Sequence, residues 1–125
     1  MTAPNIAGLT SIIGKSNVLI VPLTTIDNAT AKLAENVAGS GQVFKVNSAI
    51  ISNITTSDAD VSIALYRGGV PYYIANTIRV PINSTLISIS KDMGIYLEEG
   101  DTIQCIASAE TALHAICSFE VINDA

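Results

Sequence analysis

Period-two alternation of apolar and polar residues dominates the chain. It is clearest near the end, where Ile103, Cys105 and Ala107 alternate with Thr102, Gln104 and Ile106. After a short turn at 108–112, Leu113, Ala115, Cys117, Phe119 and Val121 alternate with His114, Ile116, Ser118 and Glu120. Successive side chains of a strand point to opposite faces, so both runs read as strands with one apolar face. The short, small and polar turn makes an antiparallel hairpin the simplest expectation for the pair. A hairpin alone is marginal in water, so it needs further strands.

Upstream, residues 42–54 form the longest strand candidate, with Phe44, Val46, Ile50 and Ile54 expected on the core face. Residues 60–67 place Val61, Ile63 and Leu65 inward, and Gly68 and Gly69 supply a tight turn. The runs 70–80, 86–91 and 95–97 continue the pattern, with Gly100 placed to take a positive φ. Residues 18–25 read as an edge strand because Pro22 donates no ladder hydrogen bond. Segment 27–37 is ambiguous: Ala, Lys, Leu and Glu favour a helix, whereas its surroundings favour a strand, the preferred reading. The total is about eight short strands with turn signals between them. The expected fold is therefore all-β, a two-sheet antiparallel sandwich of jelly-roll-like form.

A length of 125 residues suits one domain with a real core. Residues 17–125 are expected to form it, preceded by an arm or ragged first strand at 1–16. Apolar residues make up 49% of the chain and charged ones 14%, which is apolar for a small monomer. The excess suggests burial against other subunits. In the first segment Ile6, Leu9, Ile12 and Ile13 are too apolar to hang free, and they are the expected oligomer or particle contacts.

Charge narrows the partners. A net charge of −5 and six scattered basic residues provide no positive stripe, so direct nucleic-acid binding is not expected. No apolar run approaches a membrane span and no secretory signal is visible, so synthesis in a cytoplasm and no membrane partner are expected. Cys105 and Cys117 share the inward parity, and buried free thiols are expected over a disulfide.

Candidate chemistry is thin. His114 is the single histidine and falls on an outward face without a nucleophile arrangement around it. Glu98, Glu99 and Asp101, and likewise Asp58 and Asp60, read as acidic turns and lack the spacing of a calcium loop. Triplets beginning at Asn28, Asn53 and Asn83 match glycosylation sequons, a short pattern that means little without secretion. No catalytic, cofactor or metal residues are assigned.

Three stretches carry a resemblance: GQVFKVNSAIISNI from Gly41, GGVPYYIANTIRVPINSTLISISKDMGIYLEEGD from Gly68, and SFEVIND from Ser118. Together they resemble small virion structural proteins of tailed phages of marine bacteria, including cyanophages, over about residues 23–121. These motifs consist of strand and turn residues. The resemblance implies a non-enzymatic all-β accessory protein, made in the host bacterial cytoplasm and carried in many copies on the virion. Its role would be capsid decoration, or else a neck or tail component contacting major capsid or neck and tail proteins. A symmetric homo-oligomer, with a trimer favoured, is the expected assembly. A carbohydrate-binding sandwich is the rival reading, with Tyr66 and Tyr73 as a sugar platform.

Overall fold

The computed structural model describes residues 11–26, 29–90, 92, 94–108 and 113–123. Among these residues nine strands are found: β1 (Ser11–Ile20), β2 (Lys32–Glu35), β3 (Gln42–Asn53), β4 (Ala59–Arg67), β5 (Val70–Val80), β6 (Thr85–Ile89), β7 (Ile95–Leu97), β8 (Thr102–Ala107) and β9 (Leu113–Asn123). They form two antiparallel sheets. In the first the order is β1-β9-β3-β6, with β7 also on β3; in the second it is β2-β8-β4-β5. The all-β two-sheet sandwich expected from the alternation is therefore the architecture.

Strands β6 and β7 lie end to end along β3. Ile89 stands opposite Ala49, and Ile95 opposite Val46. They act as one interrupted edge strand. Every other consecutive pair of strands except β4 and β5 changes sheet, so the chain passes repeatedly across the core.

That crossing corrects the first expectation. β8 and β9 do not pair: β8 lies between β2 and β4, and β9 lies between β1 and β3. Alternation looks the same whether two strands share a ladder or face each other across a core, so periodicity did not separate the two cases. Cys105 and Cys117 accordingly approach the core from opposite sheets, both fully buried and both free thiols.

The face of β3 also changes partway along. Phe44 and Val46 are buried, as expected, but from Ala49 onward the buried residues are Ala49, Ile51 and Asn53, while Ile50 is half-exposed and Ile54 lies beyond the strand, 59% exposed. A register shift against β9 between Val46 and Ser48 makes Asn47 an extra residue. One inserted residue flips every later side chain to the other face.

Two further expectations are refined. Strand β1 starts at Ser11 and runs across the boundary drawn at 16/17, ending before Pro22. Segment 27–37 divides: Ala29–Ala31 form a 3-10 turn and Lys32–Glu35 form β2. Gly68 and Gly69 both have positive φ, 61° and 80°, closing the β4–β5 hairpin.

The core is aliphatic, built around Leu33, Val46, Ile51, Val61, Ile63, Ile89, Leu97, Ile103 and Leu113. Phe44 and Phe119 stack within it at 4.9 Å between ring centres. Two buried asparagines fasten the ends of β3. Near its start, the Asn36 amide donates to the Gln42 and Leu97 carbonyls, both at 2.9 Å. At its end, Asn53 donates to Ser57 O at 2.8 Å and Val80 O at 2.9 Å, and accepts from the Thr55 backbone N–H and hydroxyl.

Candidate interaction surface

The outer face of the β1-β9-β3-β6 sheet carries the most ordered surface feature of the described residues. Cross-strand register sets Val18 opposite Ile116, Ile116 opposite Ile50, and Ile50 opposite Ile87. One apolar row thus spans four strands. Val18 is 77% exposed, Ile87 65% and Ile116 40%. An alternating strand in a sheet with one solvated face ordinarily carries polar residues there, so four aligned β-branched side chains depart from that pattern.

The flanking rows are polar or mixed. On one side Ser16, Ser118 and Ser48 are aligned, with the Ser16 and Ser118 hydroxyls 3.3 Å apart. On the other, Ile20, His114, Ser52 and Thr85 are aligned, with the Ser52 and Thr85 hydroxyls bonded at 3.1 Å. An apolar centre between hydroxyl-bearing margins resembles the centre and rim of a protein interface.

Of the contact residues expected from the sequence, Ile6 and Leu9 lie outside the described residues. Ile12 and Ile13 are on β1, 52% and 48% exposed. Being adjacent, they point to opposite sides of the strand. Ile12 joins the outer face opposite Ile122, and Ile13 lies opposite the core residue Val121. The residues missed were Val18, Ile50, Ile87 and Ile116. Ile116 already had outward parity in the sequence, but aligning it with the others required the register and the bulge at Asn47.

The acidic turns prove to be structural. Asp101 is buried and receives Arg67 through Nε at 2.9 Å and Nη2 at 2.5 Å, and also the Glu98 N–H at 2.8 Å. Glu98 is the second partner of Arg67, at 3.2 Å. The hydrogen bonding of the Arg67 guanidinium to the Asp101 carboxylate is the main reason the Arg67 pKa is raised. Glu99 accepts the Gly41 N–H. In the other turn, Arg79 pairs with Asp60 at 3.4 Å and reaches Asp58 at 4.0 Å. Among the described residues no group of three or more His, Cys, Asp or Glu is arranged to hold a metal ion.

The remaining candidates are distributed over both sheets. His114 is exposed on the outer face beside Ile116, as its parity implies. Tyr66 and Tyr73 share the outer face of the second sheet as diagonal neighbours, since Tyr66 opposes Pro71 and Tyr73 opposes Ala64. Burial pushes both thiols up to about 12, with Cys117 adding to the shift of Cys105. Such thiols are inert in the folded protein. No helix among the described residues is long and apolar enough to cross a membrane. No protein-family model matches the chain, and no curated protein matches it significantly.

Proposed function

We propose that the chain is a non-enzymatic virion structural protein that works by docking, most plainly as a decoration or cement protein on a phage head. The observation that carries this reading is the exposed apolar row Val18–Ile116–Ile50–Ile87, aligned across four strands of one sheet. A repeated docking role requires such a face and no reaction chemistry. The motif resemblance to marine-phage virion proteins points the same way. The strand order supports the same reading: with β6 and β7 taken as one strand, it is compatible with a jelly-roll-like wrapping, a common form in viral coats.

The test is addition of purified protein to phage heads lacking it, followed by the bound mass. Saturable binding in a fixed ratio to the major capsid protein, weakened at least tenfold by Ile87→Asp, is expected. Absence of binding to heads together with binding to isolated tails moves the protein to the neck or tail; binding to neither rejects the virion role. The paired Tyr66 and Tyr73 favour one second reading, a carbohydrate-binding module, which a glycan array tests directly.

A further inference from the structure

The edges of the two sheets are not treated alike. β5 carries Pro71, a positive φ of 55° at Thr77 and two register shifts against β4. β2 has four residues and a register shift, β6 has five residues and β7 three. Shortness, proline and bulges are the devices that keep an edge from pairing with another chain. β1 has none of them. It runs for ten residues without a register shift, has no proline, and among the described residues no strand lies beyond it. Its one charge is Lys15.

The hydrogen-bonding side of each residue follows from one bond. The Val21 N–H donates to Leu113 O at 2.9 Å, continuing the β1–β9 register. Bonding alternates along an antiparallel strand, so Leu19, Asn17, Lys15 and Ile13 direct their backbone groups to β9. Ile12, Gly14, Ser16, Val18 and Ile20 therefore direct theirs to the open edge.

We infer that β1 is a homodimer contact, pairing antiparallel with β1 of a second copy about a twofold axis at Ser16. Opposed residues in a continuous sheet share a face, so the axis must pass through a residue position. An axis at Lys15 opposes two like charges, which is destabilising. An axis at Asn17 shortens the ladder. The Ser16 axis sets Lys15 against the second copy's Asn17, Ile13 against Leu19, and Ile12 against Ile20. Val18, the most exposed large apolar side chain among the described residues, then lies over Gly14, where a Cβ would meet no atom within 4 Å. The five open residues on each copy give on the order of ten backbone hydrogen bonds, comparable to a whole standard interface. The apolar row of each copy then ends against Gly14 of the other, so the two rows lie offset along the strands on either side of the axis. This contact stands apart from the virion reading and gives a twofold pair, not the trimer that the sequence resemblance suggests.

The experiment measures the mass of the full chain in solution over a micromolar range, with three variants. Ser16→Pro removes an N–H that faces the open edge and leaves the β9 ladder intact, and Val18→Lys adds a charge to the edge. Both are expected to remain folded by circular dichroism and to dissociate at least tenfold more readily than the wild-type dimer. Ser16→Cys is expected to cross-link across the axis under mild oxidation, since directly opposed Cα atoms lie within disulfide range. It should do so faster than Lys15→Cys or, on the bulged edge, Thr77→Cys. A monomeric wild type overturns the inference. So does a dimer or trimer that Val18→Lys leaves unchanged, or Ser16→Cys cross-linking no faster than Thr77→Cys.

Discussion

Arg67, at the end of β4, grips the buried carboxylate of Asp101 with two parallel hydrogen bonds, at 2.9 and 2.5 Å, and so fastens the β7–β8 turn to the second sheet. The pair is asymmetric in exposure: the Arg67 side chain is 43% exposed and that of Asp101 only 2%. Removing the arginine leaves a charge buried without its counterion. Arg67→Ala is expected to lower stability by about 2 kcal/mol, less than the ~3–5 kcal/mol of a wholly buried pair because water already screens the guanidinium. Arg67→Lys should restore less than half, since an ammonium does not reproduce the planar fork. Urea unfolding measures both; equal stability of Arg67→Lys and wild type would show that charge alone is enough.

The thiols predict an alkaline limit. Burial raises both from 9.0 to about 12, so the folded state favours the protonated form. An unfolded chain ionises its thiols first. Their stabilising contribution is therefore complete below about pH 9 and falls as pH rises from 9 towards 12, by roughly 1.4 kcal/mol per unit for each thiol. Cys117→Ala should reduce that slope while lowering stability at neutral pH through the cavity it leaves. Unfolding curves at pH 8, 9.5 and 10.5 check the sign; identical slopes in wild type and variant contradict it.

Asn53 is expected to be intolerant of substitution. Its amide donates to two carbonyls, so Asn53→Ala leaves buried acceptors unsatisfied at a cost of about 2 kcal/mol. Asn53→Asp should cost more at neutral pH, because a carboxylate then faces the Ser57 and Val80 carbonyl oxygens. Thermal midpoints order the two variants. The same commitment of both amide hydrogens removes Asn53 as a glycosylation acceptor in the folded protein.

At the β4–β5 turn, Gly68→Asn should be nearly neutral and Gly69→Val should destabilise by more than about 1 kcal/mol. Asparagine tolerates positive φ, whereas a β-branched residue does not. Comparable losses from both would mean that the turn relaxes to another conformation.

Much of the fold was legible because alternation is a local property. Ile63 and Ile103 reveal their inward facing through their immediate neighbours, and Gly68-Gly69 reveals its turn through backbone chemistry alone. Pairing is a different kind of information. Nothing within 102–121 distinguishes two strands side by side from two strands facing each other, and the answer depends on partners as distant as Ser11 and Lys32. The bulge at Asn47 has no residue signature, yet it decides whether Ile50 points into the core or out to the surface. The apolar row was for that reason only half visible: Ile116 was correctly turned outward, but Ile50 was assigned to the interior. The buried role of Asp101 was hidden in an ordinary acidic turn, because its partner Arg67 lies 34 positions earlier in the chain.

β9 lies between β1 and β3, and contributes to the core through Leu113, Ala115, Cys117, Phe119 and Val121. A ribosome producing this chain therefore releases β1 and β3 long before the strand that joins them. Until β9 emerges, two long apolar strands remain separated, with their ladders incomplete. Closing contacts of such large sequence separation is slow. The β1-β9-β3 ladder closes only once β9 has emerged, and in the interval before that the protection of these strands from aggregation falls to the cell and not to the fold.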